Sequence, residues 1–355
     1  EVVLATGHVD GALDLFRRPV RPSALALKSA EAAGVGSSET AGLLLDHARR
    51  VLGPDRPPLV LWGGVATPEA AAAFLATGAG AVVLEQAHRL TDAGGLSETT
   101  AQRLRKLKHE SGAAISADGP LQWRFFDKGN SRAVRRLRET AASDPRALAA
   151  EIRRAAVALE DATLGPDELI PFGADAPFAA GFAERFGERA AGTLRAFAEE
   201  ALRLWEEAPA RLERFRSRAA QDGPGSRLPL IQGAMSWISD SPAFARAVAE
   251  AGALPTLAAG PRAHADLERD FCGLPEVMGG LPYAVNVMVL DENPRRAEQL
   301  RWIEENRPPL VTVAAGEPSF AGALRAKGLE VLYLAADVEL LLLAARAGVR
   351  FVVLE

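Results

Sequence analysis

The sequence predicts an α/β fold of the (β/α)8 TIM-barrel type, present as two partial copies joined by a helical connector. Residues 1–125 and 228–355 alternate short β-branched runs with Ala/Leu-rich helical runs, a pattern typical of parallel βα units. Residues 126–227 contain only helical patterns. The two ends of the chain also resemble each other. A doubly wound sheet is the alternative that the strand pattern leaves open.

In the first region, strands are predicted at 1–4, 24–27, 59–62 and 81–84, with helices at 41–52 and 68–76. In the connector, amphipathic helices rich in Arg and Glu are predicted at 131–142, 144–158, 178–186 and 190–219. Asp144 followed by Pro145 is a good N-cap and first-turn pair. The Gly- and Pro-containing stretch 222–226 predicts a linker.

In the third region, six strands are predicted at 229–232, 254–257, 283–288, 310–313, 331–334 and 351–354. Helices are predicted between them at 242–251, 294–306, 320–327 and 338–347. Six strands with right-handed crossovers are compatible with most of a barrel.

An internal repeat relates the two ends of the chain. An offset of 329 matches Val9 with Val338 and Leu13 with Leu342, and a two-residue insertion near residue 22 then sets Lys28 opposite Glu355. The repeat predicts a tandem duplication that supplies late strands of copy one and early strands of copy two. We therefore expect the chain, which begins without Met, to be a piece of a longer protein. Chance similarity of two Ala/Leu-rich units is the alternative.

The repeat also raises the hypothesis of a composite barrel. Strands one to four of copy two would close with strands five to eight of copy one.

Composition excludes several classes of protein. The chain has 355 residues, a net charge of −5, 48% hydrophobic and 25% charged residues, which is ordinary for a globular protein and not for a disordered one. No nucleic-acid partner, membrane span or secretory signal is expected. The lone Cys272 and five histidines without ligand spacing predict no metal site. A reduced compartment, the cytoplasm, is expected.

Three strand ends in the third region carry candidate binding residues. Gln232, Gly233 and Met235 follow the first strand, where a glycine lets the backbone approach a flat ring or a phosphate. Asn286 is a polar residue within an otherwise apolar strand, and Gly316 opens space after the next strand. Residues at the carboxyl ends of barrel strands form active sites. Ordinary βα turns and a satisfied buried amide are the alternatives.

Two segments of the first region are also candidates. Lys28 and Glu31 lie in a glycine-containing segment, 28–39, predicted as a loop between a strand and a helix. The segment does not match the P-loop pattern. Gly63 and Gly64 end a strand that precedes a short helix, and their N–H groups are predicted to face a phosphate. A solvated loop and a tight turn without ligand are the alternatives.

The third region resembles the FMN-dependent nitronate monooxygenase (2-nitropropane dioxygenase-like) barrels. Residues 229–236, 249–257, 285–288, 311–319 and 348–355 carry the resemblance. Residues 27–34, 62–67, 81–86 and 170–178 are similar to a branch often found in tandem within bacterial polyunsaturated fatty acid synthases and polyketide synthases.

This resemblance implies FMN as cofactor and an enoyl-thioester reductase activity in a synthase. It also implies an acyl carrier protein and neighbouring synthase domains as partners, with NAD(P)H as a possible hydride donor. Lys28 and Glu31 would be weak candidates for acyl- or flavin-facing groups. A stand-alone nitronate monooxygenase and a catalytically inactive structural barrel are the alternatives.

Two departures from the family pattern concern copy one. Val35 stands where the resemblance places the histidine of the catalytic loop, so a general acid or base is missing there. Glu85 and Gln86 stand where small residues would accept the FMN phosphate, and a carboxylate would repel that group. Copy one is therefore expected to be a degenerate barrel.

Overall fold

The computed structural model describes residues 3–16, 22–107, 111–116 and 119–354. The chain divides into two compact units, unit 1 at Glu1–Pro209 and unit 2 at Ala210–Glu355. The division falls within the connector predicted at 126–227. No helix in the described part of the chain combines the length and the apolar character needed to cross a bilayer.

The described residues of unit 1 form seven strands: β1 (Val3–Thr6), β2 (Ala24–Lys28), β3 (Gly34–Ser37), β4 (Leu59–Trp62), β5 (Ala81–Val83), β6 (Gly112–Ser116) and β7 (Leu121–Phe126). Its helices are α1 (Val9–Phe16), α2 (Ala41–Leu52), α3 (Pro68–Ala76), α4 (Glu98–Leu104), α5 (Arg132–Ser143), α6 (Pro145–Ala155) and α7 (Ala179–Phe186). The long helix α8 (Ala190–Asp222) includes the boundary between the units.

The four predicted strands of the first region form one parallel sheet in the order β1-β2-β4-β5. Its core is made by Leu25, Leu27, Leu59 and Leu61, which alternate with other residues along β2 and β4 and are almost completely buried. The apolar face of α2 completes this core. Burial of such leucines contributes about 1.5–3 kcal/mol each.

The segment 28–39, predicted as a loop, contains a strand instead. Strand β3 pairs antiparallel with β7, which also pairs antiparallel with β6. Gly36 lies so close to β2 that a Cβ atom there would be 2.2 Å from the carbonyl oxygen of Ser29. Close backbone packing therefore selects glycine, which removes the β-branched pattern by which strands are recognised.

Two of the connector helices, α5 and α6, begin at side chains that cap them. The Asp144 side chain accepts a hydrogen bond from the backbone N–H of Arg146, as its position before Pro145 predicted. Ser131 caps α5 by accepting from the N–H of Val134 at 3.1 Å. Local sequence thus fixes where these helices start.

Unit 2 contains the strands β8 (Ile231–Gln232), β9 (Leu254–Ala258), β10 (Ala284–Met288), β11 (Leu310–Ala314), β12 (Val331–Ala335) and β13 (Phe351–Leu354). Its helices after α8 are α9 (Pro242–Glu250), α10 (His264–Asp270), α11 (Leu274–Met278), α12 (Arg296–Asn306), α13 (Pro318–Ala326) and α14 (Val338–Arg346). The short helices α10 and α11 were not predicted, because neither is long enough to show a full apolar period.

The six strands of unit 2 form one sheet in which β8 to β13 lie side by side in chain order. Each neighbouring pair is parallel. One face of the sheet packs on helices through a large cluster that includes Val285, Val311 and Tyr333. The other face carries a smaller apolar cluster with Ala284 and Leu310. Sequential parallel order is the order of strands in a barrel.

The register of strand pairing matches the internal repeat. In unit 1, Val3 pairs with Ala24, and the pairing runs through to Thr6 with Leu27. In unit 2, Leu332 pairs with Phe351, and the pairing runs through to Ala335 with Leu354. Offsets of 329 for the first strand and 327 for the second convert one set of pairs into the other, so the repeat extends to the hydrogen-bond ladder.

A complete eight-stranded barrel is not present among the described strands, which form separate sheets of four, six and three strands. The fold observed is mixed α/β with parallel sheets of the barrel type. The composite barrel stays a prediction. The part of the repeat at residues 17–21 and Glu355 lies outside the described residues.

Candidate functional site

A cleft lies at the carboxyl ends of the strands of unit 2. Its volume is about 410 Å³. Its walls come from the segments that follow β8, β9 and β10, and it is lined by Ser236, Trp237, Gly260, Pro261, Asn286, Met288, Glu292 and Asn293. This is the edge at which parallel α/β sheets bind ligands.

Asn286 is one of the polar residues that line this cleft. It stands in β10 between the buried Val285 and Val287, and its own side chain is only partly buried. Its Nδ2 donates to the carbonyl oxygen of Thr312 at 3.2 Å. The Thr312 side chain, only 4% exposed, has an Oγ1 without a hydrogen-bond partner within the described residues. The buried Thr312 hydroxyl lies outside the residues that line the cleft.

Gly316 forms the turn after β11. Its φ of +79° is left-handed, and a Cβ atom there would be 3.0 Å from Cγ2 of Val289. The hydroxyl of Tyr333 donates to the Gly316 carbonyl oxygen at 2.6 Å. Ala315, with a φ of +56°, is a strained non-glycine residue beside it. The turn is thus held between β10 and β12, close to the strand end that carries Asn286.

The segment after β8 carries the remaining predicted residues of this unit. The Gln232 Oε1 accepts from the N–H of Thr256 at 3.3 Å, which ties β8 to β9. Gly233 has open space around its Cα. Met235 is 46% exposed, and its N–H donates to Ser239 Oγ at 2.7 Å. The thioether of Met235 is therefore free to contact a ligand.

Sequence reasoning missed Trp237 and the ion pairs that hold it. Trp237 has a φ of +69° and a side chain that is 78% exposed at the wall of the cleft. The backbone N–H of Trp237 donates to Asp240 Oδ2 at 2.9 Å. Asp240 forms an ion pair with Arg262, and Arg262 forms a second ion pair with Asp270. Ion pairing raises the pKa of Arg262 against the opposing effect of burial. The sequence signal that could have identified Trp237 is its position as an aromatic residue directly after the 232–236 motif.

In unit 1, Lys28 and Glu85 meet at Trp62. The Lys28 ammonium lies over the indole ring, 4.7 Å from its centroid, and donates to the carbonyl oxygen of Ala33 at 3.3 Å. The indole Nε1 donates to Glu85 Oε1 at 2.7 Å. Burial lowers the pKa of Lys28, which Glu85 partly offsets. Burial also raises the pKa of Glu85, and the Asp175 charge adds to that rise.

Gly63 and Gly64 lie close to the segment that follows β2. A Cβ atom on Gly63 would be 2.6 Å from both the Ala32 nitrogen and the Ser29 hydroxyl. A Cβ atom on Gly64 would be 3.5 Å from Cγ of Glu31. Glu31 Oε2 accepts from the N–H of Ala41 at 3.0 Å. The two glycines therefore permit close packing of this segment.

Asp175 is a second residue that sequence reasoning missed. It is 1% exposed, and its Oδ2 accepts from the N–H groups of Gln86 and Ala87 at 2.5 and 2.9 Å. Burial raises its pKa, while these N–H groups act in the opposite direction. The Gln86 side chain in turn accepts from the N–H of Gly173 at 2.7 Å. Gln86 and Asp175 are 89 residues apart in the sequence, so no local pattern predicts their contact.

The structure thus gathers Asn286 and the Gly316 turn near one strand edge of unit 2, with Gln232, Gly233 and Met235 following the first strand of that sheet. It gathers Lys28, Glu31, Gly63 and Gly64 at the corresponding edge of unit 1. No group of three or more metal-ligating side chains that could hold a metal ion occurs within the described ranges. Cys272 is exposed.

These features define a class: an α/β protein whose parallel strands end in a glycine- and amide-lined cleft. No family model and no curated protein matches the chain. Solved structures match in part. FabK from Thermotoga maritima is 27% identical, with a TM-score of 0.35 over 38% of this chain and 42% of that chain.

Two further solved structures are similar in part. Nitroalkane oxidase from Streptomyces ansochromogenes is 22% identical, with a TM-score of 0.33 over 37% of this chain and 46% of that one. The enoyl reductase domain of MlnA, from the macrolactin biosynthesis cluster of Bacillus amyloliquefaciens, is 11% identical, with a TM-score of 0.39 over 54% and 59%. The chain spans between 42% and 59% of the length of these three structures.

Proposed function

We propose that the chain is part of a flavin-dependent oxidoreductase that reduces the carbon–carbon double bond of enoyl thioesters. FMN would bind at the strand ends of unit 2. The observation that carries the proposal is the cleft itself, whose lining includes the polar side chains of Ser236, Asn286 and Asn293 at the carboxyl ends of parallel strands. A flat heterocycle with several hydrogen-bonding edges suits such a lining.

The residues of unit 2 fit such a ring in three ways. Asn286 offers both a donor and an acceptor at the wall of the cleft. Gly233 leaves the backbone of its segment accessible. Met235 and Met288, 46% and 49% exposed, supply adaptable apolar contacts. When bound, FMN supplies the hydride chemistry, while the protein orients it and excludes water.

The wider context is part of the same proposal. The substrate would be an acyl thioester presented by an acyl carrier protein, within a cytoplasmic fatty acid or polyketide synthase, and NAD(P)H would be the hydride donor. The similarity of residues 27–34, 62–67, 81–86 and 170–178 to a branch found in such synthases supports this interpretation.

The first test is a visible spectrum of the purified chain with added FMN, followed by titration of Asn286→Leu. Loss of one or two hydrogen bonds, each worth about 0.5–1.5 kcal/mol, would weaken FMN binding by roughly 2- to 150-fold. Asn306→Leu is the matched control, because the Asn306 amide donates to Trp302 and Glu268 outside the cleft. Equal affinity of both variants would contradict the placement of FMN.

The second test separates the possible activities. Oxidation of NADPH that depends on an enoyl thioester supports the reductase. Oxidation of a nitronate without NADPH supports a nitronate monooxygenase. Flavin binding without either reaction indicates a structural barrel, and absence of flavin absorbance near roughly 450 nm refutes the cofactor itself.

A further inference from the structure

We infer that unit 1 binds no phosphate-bearing ligand at its strand ends, because its own carboxylates occupy the donors that a phosphate would use. The carboxylates are those of Glu31, Glu85 and Asp175. This inference concerns unit 1 alone and does not depend on flavin binding by unit 2. It replaces the phosphate role expected for Gly63 and Gly64.

The first donor is at the start of helix α2. Ala41 is the first residue of this 12-residue helix, and its N–H donates to Glu31 Oε2 at 3.0 Å. A helix N-terminus attracts anions because its first N–H groups have no partner within the helix. Here the anion is a side chain of the same chain, placed by the segment that follows β2.

Two more donors surround Glu85. Its Oε2 accepts from the N–H of Ala33 at 2.9 Å, and its Oε1 accepts from Trp62 Nε1 at 2.7 Å. Both carboxylate oxygens are therefore used. The carboxylate that was expected to repel a phosphate is also hydrogen-bonded through both oxygens, with Lys28 close enough to interact with its charge.

The carboxyl group of Asp175 binds the turn that follows β5. The N–H groups of Gln86 and Ala87, consecutive in the chain, both donate to its Oδ2. Two neighbouring N–H groups directed at one oxygen are the arrangement by which backbone turns bind anions. Asp175 is almost fully buried, so an anion from solvent does not take the place of its carboxyl group.

Steric contacts reinforce the same conclusion. The positions above Gly63 and Gly64 are filled by Ser29, Glu31 and Ala32, with atoms 2.6–3.5 Å from where Cβ atoms would be. A dianion placed here would displace this segment. Packing and the use of the nearby donors by carboxylates therefore exclude phosphate.

The test is titration of the full ¹⁵N-labelled chain with inorganic phosphate and then with FMN, followed by NMR. We expect the amide signals of Ala33, Ala41, Gln86 and Ala87 to stay unchanged. A saturable shift of any of them in the wild-type chain would overturn the inference. FMN bound by unit 2 shifts signals near Asn286 instead, so failure of the two proposals can be told apart.

A pair of variants tests whether the carboxylate is the excluding group. In Glu31→Ala, the N–H of Ala41 loses its partner at a helix N-terminus, and phosphate should now shift that signal in a saturable way. Glu39→Ala is the control, since the Glu39 carboxylate pairs with His47 and accepts from no helix N–H of α2. Absence of any phosphate-dependent shift in Glu31→Ala would also overturn the inference.

Discussion

Replacing Gly316 by Ala tests how tightly the turn after β11 is held. Gly348→Ala is a matched control in the same unit, because both glycines have a φ of +79°. A Cβ atom on Gly316 would be 3.0 Å from Val289 Cγ2 and 3.1 Å from the Val289 carbonyl oxygen, whereas nothing lies within 4 Å of one on Gly348. The pair therefore separates backbone strain from steric contact.

The expected magnitudes follow from these two contributions. Alanine in the left-handed region costs about 1–2 kcal/mol at either position. Overpacking against Val289 adds about 1–3 kcal/mol at Gly316 only. If the turn moves, the bond from the Tyr333 hydroxyl to the Gly316 carbonyl oxygen weakens as well, by about 1 kcal/mol. Gly316→Ala is thus expected to destabilise by about 2–6 kcal/mol, and Gly348→Ala by about 1–2 kcal/mol.

Hydrogen exchange of the amides in β11 and β12 measures these effects, because exchange rates report the free energy of opening of the strands that flank the turn. We expect exchange to accelerate clearly more in Gly316→Ala than in Gly348→Ala. Equal acceleration in the two variants would show that Val289 moves away from the new Cβ atom at little energetic cost. The conclusion that this turn is sterically fixed would then be wrong.

Three further predictions concern unit 1. Trp62→Phe removes the Nε1 donor from Glu85 and should cost about 1.5–3 kcal/mol in urea unfolding; wild-type stability would show that this bond contributes nothing. Burial raises the pKa of both Asp175 and Glu85, so the folded state binds protons more tightly than the unfolded state. Stability should therefore fall as pH rises above about 4, the ordinary range of these carboxyl groups. Asp175→Asn should flatten that slope, and an unchanged slope would contradict the assignment. Thr67→Ala removes the oxygen that accepts from the N–H of Ala70 and should lower stability by about 1 kcal/mol in thermal melts followed by circular dichroism; an unaltered melting temperature would count against this cap.

The parallel strands could be predicted because their signal is local. Runs such as 59–62 and 310–313 are apolar, β-branched and bounded by turn residues, and the structure places strands at each of them. The N-cap at Asp144 was predicted on the same basis. The antiparallel strand β3 could not be, because close approach to Ser29 requires glycine and removes the pattern.

The sequence could predict a residue of the candidate site only where its side chain differs in polarity from its neighbours in the sequence. Asn286 is an amide in an apolar strand, so its sequence position already indicated a special role. Asp175 is an ordinary acidic residue in an ordinary loop until folding places it beside the N–H of Gln86. Contacts that join segments some 90 residues apart depend on the whole topology, and a single sequence does not contain them.

The shared ladder register has a consequence for how the chain acquires its structure. The two-residue difference between the copies falls between Phe16 and Ala24 in the sequence, so the two strand pairs share one hydrogen-bond register. During synthesis β2 is available before β12 emerges, and pairing of those two strands would satisfy the same hydrogen bonds. Side-chain volume is what distinguishes the right partner, since Phe351 occupies the position that Ala24 takes in the earlier pair. Misassembly of repeated elements is a characteristic failure of such chains.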